Sequence, residues 1–153
     1  MYRCLAKTAF SAVLCFLFQG QLSAQDCTNI PSVQISQFVT HNSEYGGHLN
    51  AHVYGQTPPN GYTQLGKTLF RDADDWEDAY NKLVEDTPPL QCINADAART
   101  LPAQYLSYKC TAVDANERCT EKNEIQTRYV TYVLRRNGDN KWILYTAYPS
   151  INP

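Results

Sequence analysis

The chain has 153 residues and a formal net charge of −2, with 43% hydrophobic and 18% charged residues. That length suits one domain with a real core and is too short for two. A mildly acidic balance gives no global attraction for nucleic acid or an anionic membrane, so any phosphate-binding surface has to be a local patch.

In chain order, Arg3 and Lys7 form a short basic start and Ala9 to Phe18 is an apolar run of ten residues. Leu22-Ser23-Ala24 then places small residues where a signal peptidase reads. The run is about half the ~20 residues a membrane span needs, which disfavours an uncleaved anchor. Residues 1–24 are therefore expected to be a cleaved secretory leader, with residues 25–153 as a single secreted domain that does not enter a membrane. Losing Arg3 and Lys7 takes the formal charge from −2 to −4.

Cys4 and Cys15 leave with the leader, and Cys27, Cys92, Cys110 and Cys119 remain. Four cysteines in a small secreted domain read as two disulfides, for which sequence alone allows three connectivities. The favoured one staples a short loop with Cys110–Cys119 and ties the N-terminus to the middle with Cys27–Cys92. A four-thiolate zinc site is disfavoured, since the chain has no Cys-x-x-Cys pair.

Val33, Ile35 and Phe38 mark a short helix or strand in an otherwise irregular start. Gly46-Gly47-His48-Leu49-Asn50-Ala51-His52-Val53 carries two of the chain's three histidines. If Gly47 opens an α-helix running to about Tyr54, His48 and His52 project from one face. Imidazole titrates near neutrality, so the pair is a candidate acid/base centre. Gly55 to Gly66 is turn-rich and reads as a loop around Pro58-Pro59-Asn60-Gly61. Thr68-Leu69-Phe70 reads as a short strand. Asp72 then caps a helix over Ala73–Val84, where Trp76, Ala79, Tyr80 and Leu83 recur at helical spacing. The acidic residues crowding its first turns suit the helix dipole better than a metal.

Pro88-Pro89 ends that helix, and a short helix is expected around Ala95–Tyr105, before the cysteine-bracketed segment 110–119. Thr127–Arg136 is β-branched and aromatic, Asn137-Gly138-Asp139-Asn140 is turn chemistry, and Lys141–Tyr148 resumes as a strand: a β-hairpin. Helices early and antiparallel strands late make an α+β domain. Strand alternation puts Trp142, Leu144, Thr146 and Tyr148 on one face, and Ile143, Tyr145 and Ala147 on the other. If the first face receives the histidines, a proton carrier meets two hydroxyls, which suits phosphoryl or acyl transfer without a metal.

GGHLNAHV, a later LFRDADDW and a closing YTAYPS occur in that order. Together they resemble the RNase A-like toxin domain at the C-terminus of bacterial contact-dependent inhibition proteins, over roughly residues 44–150. In that family a Gly-Gly-His…His-Val-Gly segment opens the domain and a Thr-Ala-Tyr-Pro strand closes it. The resemblance implies an RNase A-like fold, with N-terminal helices packed on a C-terminal antiparallel sheet ending in a β-hairpin. It also implies a monomeric, metal-independent and cofactor-free endoribonuclease acting as a toxin or effector. The substrate would be RNA, tRNA included, and a cognate inhibitor or immunity protein would be a partner. Many members lack disulfides, so two bridges would be an addition for secreted life.

Residue by residue, the family's catalytic histidine matches His52, its threonine and tyrosine match Thr146 and Tyr148, and His48 matches the Gly-Gly-His histidine in a supporting role. Two departures stand out. This chain reads His52-Val53-Tyr54-Gly55 where the family reads His-Val-Gly. The family's arginine, about three helical turns after the histidine, has no counterpart, since nothing between Val53 and Gly66 is basic. Lys67 and Arg71 are the first cations that follow and the candidate phosphate-binding residues, with Arg128 and Arg135 on the hairpin as alternatives.

On this reading His52 takes the proton of a ribose 2′-OH and the product is a 2′,3′-cyclic phosphate. His48 or Tyr148 protonates the leaving oxygen, and Thr146 and Tyr148 bind the phosphate. A non-catalytic secreted binding protein on the same fold is the alternative. A zinc protein built on His48, His52 and His41 or Glu44 is a weaker one, because position 49 is Leu where metalloproteases carry Glu. The secreted protein is expected to begin near Gln25 and to show no alkylatable thiol without reductant. Intact mass spectrometry after alkylation checks both points, and four modified cysteines would overturn the second.

Overall fold

Four antiparallel strands carry the fold in a computed structural model that describes residues 24–153. The expected leader, with Cys4 and Cys15, lies outside the described residues apart from Ala24. The elements are β1 (Gln25–Asp26), α1 (Pro31–Ser36), β2 (Thr68–Leu69), α2 (Ala73–Glu85), β3 (Gln91–Cys92), β4 (Asp96–Val113), β5 (Cys119–Arg136) and β6 (Trp142–Ser150). Single 3-10 turns occupy Cys27–Asn29, Asn42–Tyr45 and Leu49–His52. The main sheet runs β2-β4-β5-β6, and β1 and β3 form a two-residue ribbon beside it. The class is α+β.

Local chemistry explains the helices. Pro31 opens α1, where a missing N–H costs nothing, and Val33 enters the core while Ile35 and Phe38 stay exposed. Asp72 caps α2 by accepting from the Asp75 N–H at 2.9 Å, and Trp76, Ala79, Tyr80 and Leu83 are its buried stripe. These side chains pack with Phe70, Tyr105, Tyr132, Leu134 and Leu144 in the main core.

Three expectations are corrected. The first is the helix over Ala95–Tyr105, which is the opening half of β4, an 18-residue strand paired with β5. Its alanines favour a helix in isolation, but the long ladder and the buried alternation of Ala103, Tyr105 and Ser107 override that preference. Pro102 is tolerated because β2 covers only Tyr108 and Lys109, leaving this part of β4 at the sheet edge, beside a register shift.

Second, the histidine segment is one 3-10 turn, Leu49–His52, and His48 is its N-cap residue. Tertiary partners claim the backbone groups that an α-helix would have used. The His48 N–H donates to Tyr145 O, the Leu49 N–H to Asn42 Oδ1, and the Phe70 N–H to His52 O.

Third, β6 does not alternate evenly. Val133 pairs with Thr146 and Leu134 with Leu144, so Tyr145 is an extra residue in a bulge. The bulge inverts the alternation. Trp142 and Leu144 join Ala147 in the core, while Thr146 and Tyr148 turn to the opposite face.

The outer edge of β6 is sealed by the N-terminal third of the chain. Ser32 Oγ donates to Trp142 O, Ser36 Oγ accepts from the Leu144 N–H, and Asn42 Nδ2 donates to Leu144 O at 2.8 Å. An open strand edge is thereby closed against pairing with another chain. The disulfides are Cys27–Cys92, beside the β1–β3 ribbon, and Cys110–Cys119, at the tip of the β4–β5 hairpin. This is the favoured connectivity, and two bridges fit an oxidising compartment. No helix among the described residues is long and apolar enough to cross a membrane.

Asn42 is fully buried and bonds Ser36 O, Leu144 O and the Leu49 N–H. Asn42→Ala strands those partners and is expected to destabilise the domain by about 2–4 kcal/mol. Urea denaturation checks this against Ser32→Ala, expected to cost about 1 kcal/mol.

Candidate functional site

The inverted face of β6 and the histidine turn meet in a cluster of rings. His48 and His52 lie 5.9 Å apart between ring centroids. His52 faces Tyr148 at 5.2 Å. His48 stacks flat on Tyr62 at 4.3 Å and meets Tyr145 edge-on at 4.5 Å. The Tyr62 and Tyr145 hydroxyls share a hydrogen bond of 2.9 Å. The 3-10 turn thus keeps the histidines adjacent although the expected helix is absent, and the bulge delivers Thr146 and Tyr148 to the histidine side.

His52 has a defined tautomer. Its Nδ1 lies 3.2 Å from the Thr68 carbonyl oxygen, which can only accept, so Nδ1 carries the proton and Nε2 carries the lone pair. Burial is the main reason its pKa is lowered to about 3; the Thr68 hydrogen bond opposes this, while Lys67 and His48 add to it. His48 is lowered to about 4, first by burial and then by the charges of Lys67 and Arg135. Both rings are 8% exposed and neutral at physiological pH.

Two buried polar atoms in the cluster have no partner among the described residues: His48 Nδ1 and Thr146 Oγ1, the latter in a residue 6% exposed. Such orphans are rare in folded proteins and call for a partner, a bound water or a ligand group.

Of the candidate phosphate-binding cations, Lys67 acts electrostatically on both histidines. Arg71 does not. It is exposed and ion-paired with Asp72 at 3.3 Å and Asp75 at 3.2 Å. The second cation at the site is Arg135, whose guanidinium lies 4.6 Å over the Tyr145 ring and whose charge reaches His48 and Tyr62. Arg135 pairs with Ile143 across the hairpin, on the face that Thr146 and Tyr148 occupy beyond the bulge. His41 lies apart, in an exposed pair with Glu44 at 3.8 Å. Among the described residues no group of three or more His, Cys, Asp or Glu side chains is placed to hold a metal ion.

Tyr62 has no signal in the sequence beyond standing in a turn-rich loop. It is brought in by Gln64, a fully buried side chain two residues on. Gln64 Nε2 shares its two hydrogens among the carbonyls of Asn50, Val53 and Gln56, and its Oε1 accepts from the Cys119 N–H at 2.8 Å. The loop, the histidine turn and the disulfide-closed hairpin tip are therefore one unit. No protein-family model, no curated protein and no solved structure matches this chain.

The buried neutral histidines set a pH dependence. In the unfolded chain each takes up a proton near pH 6.5, whereas in the fold protonation waits until about 4 for His48 and about 3 for His52. Between those limits the unfolded state binds more protons, so stability falls as pH drops from 6.5 toward 4. Urea midpoints across this range are expected to fall less steeply in His52→Gln than in the wild type. Equal slopes would show that His52 is not buried neutral.

Proposed function

We propose that the protein is a secreted, metal-independent endoribonuclease on an RNase A-like α+β fold, acting on RNA as a toxin or effector. The observation that carries this reading is His52 itself: a neutral ring with Nδ1–H fixed on the Thr68 carbonyl and Nε2 left as a base, beside Tyr148, on whose strand face Thr146 presents an unpartnered hydroxyl. RNA with single-stranded regions, such as tRNA, is the proposed substrate. A cognate inhibitor or immunity protein is the proposed partner of a chain with this activity.

In the proposed reaction, His52 Nε2 takes the proton of the ribose 2′-OH. The 2′-oxygen bonds to phosphorus and the bond to the 5′-oxygen breaks, leaving a 2′,3′-cyclic phosphate. The Thr146 hydroxyl donates to a non-bridging oxygen, which ends its isolation, and Lys67 and Arg135 offset the growing negative charge. These two cations would do the work of the arginine that the resemblance leads one to expect. His48, lowered to about 4, is a neutral imidazole at neutral pH and not an imidazolium acid, so the leaving oxygen takes its proton from the Tyr148 phenol. DNA, without a 2′-OH, is not cleaved.

Cleavage of single-stranded RNA is expected to survive EDTA. His52→Ala should reduce kcat by about 10²–10⁴, the range for a lost general base. Thr146→Val, which keeps the shape and removes the hydroxyl, should cost about 10²–10³. Because the base titrates at about 3, kcat/KM should hold level from pH 7 down to about 4.5. RNA left intact at every pH would remove the ribonuclease reading. An acid limb near 6.5 would remove His52 as the base.

A further inference from the structure

Beside the histidines lies an open groove of about 490 Å³ that the proposed chemistry does not use. It is lined by Ser43, Gly46, Gly47, the Pro58-Pro59-Asn60 turn and Tyr62. None of these is charged, and the cations that act on His48, Lys67 and Arg135, are not part of the lining. Tyr62 joins the two regions. Its ring stacks on His48, its hydroxyl is tied to Tyr145, and the same side chain forms part of the groove wall.

We propose that this groove is a nucleobase subsite, in which a base of a single-stranded RNA stacks beside Tyr62 while the adjoining phosphate reaches Thr146, Lys67 and Arg135. The inference rests on the ribonuclease reading for its ligand. Three features fit a base and not a phosphate. The lining is uncharged. An aromatic ring already held in a stack offers a rigid platform at little entropic cost. Asn60 and Ser43, both exposed at the rim, supply an amide and a hydroxyl for hydrogen bonds to base edges. The volume lies within the range of small-ligand pockets. Gly46 and Gly47 bring bare backbone to the wall. A Cβ on Gly47 would collide with the buried Asn42 amide, so packing behind the wall holds this backbone in place.

The test uses an uncleavable 2′-O-methyl RNA pentamer, with each base in turn replaced by an abasic residue, and fluorescence anisotropy as the readout. In the wild type one abasic position is expected to weaken binding at least about tenfold, as loss of one base–aromatic stack does. In Tyr62→Ala the intact pentamer should bind as weakly as that abasic one, and the position should no longer matter. Tyr62→Phe, which keeps the ring, should behave as wild type. Ser43→Trp, which fills the groove from its exposed rim, should reproduce Tyr62→Ala. A flat abasic scan in protein that cleaves RNA would overturn the subsite and leave the ribonuclease reading intact. Tyr62-dependent base recognition in protein that leaves RNA intact would uphold the subsite and overturn the ribonuclease. A base effect undiminished in Tyr62→Ala, or no binding of any pentamer, would overturn the subsite.

Discussion

Three segments of the chain, one of them about a hundred residues away, are joined at one buried amide. Asn42 donates to the carbonyls of Ser36 and Leu144 and accepts from the Leu49 N–H, so the end of α1, the edge strand β6 and the histidine turn share a single side chain. A buried polar group with every bond satisfied has no cheap alternative arrangement, because any shift strands a donor or an acceptor. Gly47 belongs to the same constraint, since the Asn42 amide occupies the space a Cβ would need. The Gly-Gly before the histidines is thus explained by a close approach and, at Gly46 with φ of 90°, by a left-handed turn.

A second amide does the same from the other side. Gln64 collects three carbonyls around the histidine turn and ties them to Cys119 in the disulfide-closed hairpin tip. Between Asn42 and Gln64 the turn has hardly any ladder of its own, yet its backbone groups find partners. Precision at the site comes from buried side-chain amides and not from a regular element, which is unusual for a site meant to hold rings and hydroxyls in fixed register. The bulge at Tyr145 completes the arrangement. The His48 N–H donates to the carbonyl of that extra residue, so the irregularity that turns Thr146 and Tyr148 toward the histidines also anchors them.

What could be read from the sequence follows from this. α2 was legible because Asp72 and the Trp76, Ala79, Tyr80, Leu83 stripe are local signals, and the hairpin because its turn residues lie between β-branched runs. The α+β class follows from their order. The short helix expected at Ala95–Tyr105 failed because a long ladder with β5 outweighs alanine's preference, and that pairing is invisible to a local window. The even alternation assumed for β6 failed at Tyr145, since nothing in KWILYTAY marks a bulge. His48, His52 and Tyr148 were named from motif and spacing and lie ring to ring, with Thr146 two residues before Tyr148 on the same strand face, although by a 3-10 turn and a bulge where a helix and a flat strand were expected. Tyr62 needed the tertiary structure, because Gln64 carries its loop to the histidine turn through carbonyls and an N–H elsewhere in the chain; Arg135 was among the hairpin alternatives, and only its placement over Tyr145 singles it out from Arg128. Arg71 was the converse: near in sequence, yet ion-paired with Asp72, the cap of its own helix, and with Asp75.

The same burial that fixes the histidines divides the chemical roles. A pair of imidazoles at ordinary pKa could supply one base and one acid near neutrality. Here desolvation comes first for both rings, and the cations Lys67 and Arg135 push His48 further in the same direction. The cluster is therefore rich in bases and hydrogen-bond donors and poor in acidic protons, except for its phenols and one threonine hydroxyl. Leaving His48 Nδ1 and Thr146 Oγ1 buried and unbonded costs roughly 1–3 kcal/mol each. A domain of this size bears that cost more easily with Cys27–Cys92 closing a separation of 65 residues, a constraint on the unfolded chain of about 4 kcal/mol. An anion with acceptor oxygens would relieve the Thr146 hydroxyl and screen the two cations at once. Such a ligand would also raise the His48 pKa, since it adds negative charge beside a ring that the cations now hold neutral. Anion binding and proton uptake at His48 are thereby coupled, yet even an anion that restored the ordinary value of about 6.5 would leave the ring mostly neutral at pH 7, so the phenol keeps its role as the acid.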